Sequence, residues 1–401
     1  MRRADLRRAD GFSLLEMMIA MLLTLSVTAA IFSVMNPSTG TFQAQPEVSD
    51  MQQRLRIASD SMSHELMMAG AGAYQGSMSG SFAYMFAPIL PFRRGSANDD
   101  PPGTFRSDTI TLMYVPETFA QTTLSTKGPA LNSAEIGVNA DPGCPADAPL
   151  SCGFQDGMTV LMYDGSGNYD TFTITNVQDS ALHLQHNQDS LTYTNYQPET
   201  TKLVQFANSV YYLQSNDATQ TYQLMHYDGG TGPDVPMVDN VVGLKFEYYG
   251  DPLPPQLTKP LTDNPPVTTY GPPPPALGTQ NSAYPAGENC VFQVDAGSGL
   301  QVPRLPDLSA GNPNGLVPLT AAQLTDGPWC PDAANPNRWD ADLLRIRKVA
   351  VTLRVQAAVA SLRGPAGVLF SHAGTSISGN TWVPDQEVRF EVTPRNMNLG
   401  R

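Results

Sequence analysis

Hydrophobic and polar positions divide the chain into three patterns. From Phe12 to Met35, 24 consecutive residues are apolar or small, broken by a single charge, Glu16. As a helix this run is about 36 Å long, enough to cross a hydrocarbon core of about 30 Å. Asn36, Pro37, Ser38, Thr39 and Gly40 then interrupt it, and helical signals resume at Pro46, with Glu47 and Asp50 near the positive helix end. Val48, Met51, Leu55, Ala58, Met62, Leu66 and Ala69 recur at spacings of three and four. They predict one apolar face packed on the domain that follows, ended by Gly70 and Gly72. Beyond residue 105 the period becomes that of strands, over 109–115, 158–163, 169–177, 181–186, 203–213, 222–227, 241–249, 349–359 and 387–393, with Gly, Asn and Asp between them. The segment 251–336 differs, because it holds 18 of the 35 prolines, Pro272, Pro273, Pro274 and Pro275 among them. Proline removes ladder donors and favours extended polyproline backbone, so this reads as a surface insertion without strands.

These patterns predict an α+β fold. A long N-terminal helix spans the membrane over 12–35 and continues as an amphipathic helix over 36–72. It packs on a mostly antiparallel β-sheet domain built from 73–250 and closed by strands of 337–401, with 251–336 inserted.

Composition narrows the function. The 401 residues carry 23 basic and 37 acidic side chains, a net charge of −14, and only five lysines. Phosphate neutralisation needs clustered Lys and Arg, so a nucleic-acid partner is not expected. Only one stretch is long and apolar enough to cross a bilayer, which excludes a polytopic membrane protein. Arg2, Arg3, Arg7 and Arg8 precede it and an acidic remainder follows. That asymmetry places the N-terminus in the cytoplasm and everything after Met35 outside.

Three readings of the N-terminus compete. A cleaved secretory signal would end near Val27, Thr28 and Ala29, but the apolar run continues through Ile31 and Phe32. A plain signal anchor fits the length and gives no reason for a carboxylate at its cytoplasmic end, where burial costs several kcal/mol without a partner. Gly11-Phe12-Ser13-Leu14-Leu15-Glu16, followed by the apolar helix, resembles the type IV prepilin signature. The resemblance implies a leader over 1–11, cut by a prepilin peptidase between Gly11 and Phe12, and N-methylation of the new amine of Phe12. Glu16 then stands fifth in the mature chain. There its carboxylate neutralises the ammonium of a neighbouring subunit, and a mis-staggered subunit leaves two charges unpaired in low dielectric. Without residues 1–11, 19 basic and 35 acidic residues remain, a net charge of −16.

The resemblance extends further. Asp50 to Arg56 and Met67 to Gly72 are similar to the second part of the helix in the PilW group of minor pilins, and Arg345 to Val355 and Phe390 to Asn396 resemble C-terminal strands of that group. It does not cover 251–336. It implies a structural subunit, not an enzyme, held in the bacterial inner membrane by a single pass with its C-terminal domain in the periplasm. Such a subunit then joins other minor pilins, the major pilin and the assembly platform to start a type IV pilus, and sits at its tip on the cell surface. Alternatives are a minor pseudopilin of a type II secretion system, similar to the J component, and a tip adhesin whose binding surface would lie in 251–336.

Four cysteines, Cys144, Cys152, Cys290 and Cys330, lie on the outer side, where disulfides are allowed, and three pairings are open. Proximity and loop context favour Cys144 with Cys152 and Cys290 with Cys330. No Cys/His spacing fits zinc, so no metal or other cofactor is expected. Asp164, Ser166, Asn168 and Asp170 alternate as in calcium loops, but Tyr169 stands where the sharp-turn glycine belongs, and the strands on either side favour a hairpin turn. His183 and His186 are three apart in a predicted strand and so face opposite ways. The chain contains no nucleophile elbow, P-loop or H-E-x-x-H, and its acids form no evident acid/base pair.

Overall fold

A computed structural model of the chain describes residues 12–74, 79–95, 98–116, 120–125, 135–141, 143–184, 193, 195–230, 232–255, 271–280, 283–310, 313–377 and 379–398. One α-helix of 55 residues runs from Leu14 to Met68. The expected interruption at 36–40 is therefore corrected. A proline deletes one ladder bond, to the carbonyl four residues back, while the rest of the ladder can continue past it. The helix stops at Gly70, whose φ of +83° suits the left-handed conformation that glycine adopts freely. The Gly70 N–H bonds to the carbonyl of Met113 at 2.9 Å.

The chain forms two compact units. One comprises Met1–Gln53 and Gln356–Gln386, the other Arg54–Val355 and Glu387–Arg401. In the first, the Ala358 N–H bonds to the carboxylate of the buried Glu47. The strand expected over 349–359 accordingly ends at Val355: a backbone donor beyond it is taken by a side chain of the helix instead of a ladder. The rest of this lobe is loops and two 3₁₀ turns among the described residues, closed by Val383 N to Leu362 O and Gly374 N to Gly364 O, both at 2.8 Å.

In the second unit Ala58, Met62 and Leu66 are fully buried, as their periodicity predicts, and Ser61 Oγ lies 3.1 Å from the hydroxyl of Tyr211. Its strands form three main sheets. A five-stranded antiparallel sheet has the order Ile89–Leu90, Thr109–Tyr114, Ala207–Asn216, Thr221–Tyr227, Val235–Asp239. A four-stranded sheet has the order Val317–Leu319, Val241–Gly250, Ile346–Val355, Gln386–Val392.

The third sheet closes on itself. Its order is Gln121–Thr123, Lys202–Gln205, Thr159–Tyr163, Tyr169–Gln178, Ala181–Leu184, Glu135–Gly137. Its first and last strands then meet through the Leu124–Val138 bridge, Ser125 N to Gly137 O at 2.9 Å and Asn139 N to Thr123 O at 3.0 Å. The result is a small six-stranded barrel filled by Val160, Met162, Ile174, Leu182, Leu203 and their neighbours. Closure leaves the ring no free strand edge. The single strand expected over 203–213 is two strands in two sheets. Buried Phe206 makes the corner, its N–H bonded to Thr159 O at 3.0 Å.

The segment 251–336 also departs from expectation. Its described part contains the short strands Phe292–Val294, Gln301–Pro303, Val317–Leu319 and Trp329–Cys330, and buries Val291, Phe292, Leu305 and Leu324. Enough apolar residues stand between its prolines to supply core. Two fully buried arginines tie it down. Arg345 Nη1 donates to the carbonyls of Asp251, Pro252 and Leu253 at 3.0–3.2 Å, Nη2 donates to that of Pro306, and Nε pairs with Asp342. Arg347 pairs with Asp251 at 2.7 Å and caps the carbonyls of Leu344 and Ile346.

Candidate functional site

The helix begins where the motif predicts chemistry. Gly11 lies outside the described residues, and Phe12 is almost fully exposed. Ser13 and Glu16 cap the helix reciprocally: Ser13 Oγ accepts the Glu16 N–H at 3.2 Å, and Glu16 Oε2 accepts the Ser13 N–H at 2.9 Å. This S-x-x-E capping box satisfies two of the amide donors that every helix start leaves orphaned. It also holds the carboxylate at the amino end of the helix, one turn from Phe12. The signal was present in the sequence, where the wider motif gave Glu16 only its role between subunits.

From Leu14 to Ser33 no side chain is buried, and the run is long and apolar enough to cross a membrane. Its hydroxyls bond back into their own helix: Thr24 to the Ala20 carbonyl, Ser26 to Leu23, Thr28 to Thr24 and Ser33 to Ala30, all at 2.7–2.8 Å. Each donor is thus paired without water, as a lipid environment requires.

The remaining candidates lie elsewhere in the molecule. Cys144 is joined to Cys152 and Cys290 to Cys330. Asp164 opens the hairpin between Thr159–Tyr163 and Tyr169–Gln178. Its carboxylate accepts the N–H groups of Ser166 and Asn168 and the Asn168 amide, and so is spent on the turn. Asp170 accepts from the hydroxyl of Tyr196 and the N–H of Tyr193. His183 lies on the strand Ala181–Leu184, and His186 is outside the described residues.

One acidic group went unnoticed in the sequence because the fold assembles it. Asp326, Asp340 and Asp342 each place a carboxylate oxygen within 4.8 Å of the others, a grouping able to hold a cation. Asp340 accepts the N–H groups of Gly327 and Asp342, and Asp342 pairs with Arg345. Burial pushes Asp340 up to about 7 and Asp342 up to about 6. An acid whose folded-state pKa is raised binds its proton more tightly in the folded chain. Its contribution to stability is complete below the unfolded value, near pH 4, and is lost as pH rises through the folded one. Chemical unfolding is therefore expected to show falling stability between about pH 4 and pH 7, and Asp340→Asn to flatten that slope; an unchanged slope would count against the cluster as its cause.

Comparison with known proteins bears on the N-terminus alone. No characterised protein and no solved structure matches the chain. Residues 6–32 match the family model of the prokaryotic N-terminal methylation motif, the type IV prepilin-like signal, and this supports a membrane-anchored type IV pilin-like or pseudopilin protein.

Proposed function

We propose that the chain is a PilW-like minor pilin, a structural subunit without catalytic activity that helps to start a type IV pilus and stays at its tip. The observation that carries this reading is the capped carboxylate of Glu16 one turn from Phe12, at the head of an exposed apolar helix that leads into a β-rich domain. A prepilin-type signal implies processing by prepilin peptidase and assembly with other pilins. The tip position, the inner-membrane store with its periplasmic domain, and partnership with the major pilin and the assembly platform follow from the resemblance to minor pilins. A type II secretion pseudopilin would share the N-terminus. The length of the chain and the segment 251–336 favour the pilus.

Mass spectrometry of the isolated protein is expected to find N-methylated Phe12 as the first residue. A chain starting at Met1, or after Ala29 or Ala30, would overturn the proposal. A bulky or charged residue in place of Gly11 is expected to leave a precursor about eleven residues longer, because the peptidase must fit a small side chain before the bond it cuts.

A further inference from the structure

The lobe 356–386 ends in an unusual turn. Gly367 and Phe370 exchange backbone bonds, N to O at 2.8 Å one way and 3.3 Å the other, which puts Val368 and Leu369 at the two central positions of a tight hairpin. Such positions ordinarily carry Gly, Asn, Asp or Pro. Here they hold two branched apolar side chains, 90% and 56% exposed, and Ile377 nearby in sequence is fully exposed. The tip is rigidly backed. The Phe370 ring packs edge-on against Trp382 at 5.8 Å, Asp385 N donates to Leu369 O at 2.9 Å, and the Asp385 carboxylate accepts the N–H of Ser371 at 2.7 Å. The turn thus holds two apolar side chains out in water on a packed support.

Charge and position indicate what it meets. Of the 31 residues 356–386, only Arg363 and Asp385 carry a formal charge, in a chain of net −14. Arg363 is nine-tenths buried, and its Nε and Nη1 find no partner among the described residues, nor does Trp382 Nε1. The two charges of the lobe cancel, so it is a part of an acidic protein that an anionic leaflet does not repel. The lobe belongs to the same compact unit as the membrane-spanning run and is fixed to it at Glu47, fourteen residues beyond Ser33, about 21 Å along the helix. A compact body of 31 residues has a radius of gyration of about 8 Å and so is about 20 Å across. That width matches the distance along the helix from Glu47 to the end of the membrane run.

We propose that the hairpin tip Val368–Leu369, with Ile377, seats the lobe on the outer surface of the same bilayer that holds the helix. The proposal rests on the membrane-anchored, pilin-like reading of the N-terminus. Before assembly, the helix and the lobe then hold the subunit to the membrane at two points.

The test uses the full-length chain in vesicles of equal parts phosphatidylcholine and phosphatidylglycerol, with a nitroxide quencher on the lipid headgroups. All four native cysteines are in disulfides, so an introduced thiol is the one site that takes a fluorophore. Val368→Cys and Ile377→Cys report the lobe, Ser33→Cys the end of the membrane run, and Ala218→Cys an exposed turn of the other unit. Labels at 368 and 377 are expected to be quenched about three-fold more than at 218, approaching the level at 33. Leu369→Asp is expected to return the label at 377 to the level at 218. Quenching at 33 while 368 and 377 match 218 would overturn the lobe contact and leave the anchor standing. No quenching at any site would overturn both. Shielding of 368 in purified, lipid-free fibres with none in vesicles would assign the tip to a neighbouring subunit and overturn the proposal.

Discussion

A Glu16→Val chain is expected to be cut and methylated at Phe12 as usual, yet to enter fibres about a hundredfold less, because an ammonium unpaired in lipid costs several kcal/mol. The capping box makes a sharper form of this experiment possible. Valine removes two things at once: the charge, and an acceptor for the Ser13 N–H whose loss costs about 1 kcal/mol. Glutamine keeps the acceptor, since capping boxes accept Glu and Gln alike, and loses only the charge. Glu16→Gln is therefore expected to assemble as poorly as Glu16→Val. Quantitative recovery of fibres, read beside N-terminal mass spectrometry to confirm processing, is the measurement. If Gln assembled normally while Val did not, the carboxylate would matter as a helix cap, and the pairing between subunits would have to be abandoned.

The second large effect is expected at Arg345. Replacing it with Met leaves Asp342 buried without its cation. It also strips donors from the carbonyls of Asp251, Pro252, Leu253 and Pro306. Removing one partner of a buried ion pair costs about 3–5 kcal/mol, since the group left behind must stay buried uncompensated or take up a proton. Urea unfolding in detergent is expected to show that loss, and Asp342→Asn added to the variant to recover part of it. Arg345→Lys is not expected to rescue, because a single ammonium cannot reach acceptors on both sides of a planar fork. An unshifted midpoint in Arg345→Met would show that the cage contributes nothing. The same contacts predict that deleting 251–336 disrupts the four-stranded sheet, which would lose Val317–Leu319 from its edge and the acceptors of its central strand's arginine.

What the sequence made legible was local. The helix start at Phe12 to Glu16, the buried face through Met51, Ala58, Met62 and Leu66, and most long strands are set by spacing within a few residues. What stayed hidden depends on distant partners. The barrel closes through Leu124 and Val138, which flank strands only three residues long, too short for a period to show. The corner at Phe206 sits inside a continuous apolar run, so nothing local distinguishes one strand from two. Arg345 reads as an ordinary exposed cation, because arginine is almost never fully buried, and only the fold brings four carbonyls around it. Asp326 and Asp340 are fourteen positions apart and gather by the same logic.

The back-bonded hydroxyls of the membrane run have a consequence for recognition inside the lipid. Transmembrane helices commonly find one another through serine and threonine donors reaching across. In this chain Thr24, Ser26, Thr28 and Ser33 have already spent theirs on their own turns, so these hydroxyls have only acceptor lone pairs left for a passing helix. On the proposed reading, directional attraction within the bilayer is left to the amino end of the helix, where removal of the leader would create the amine. Uncut molecules would then lack that amine, and cutting would supply it.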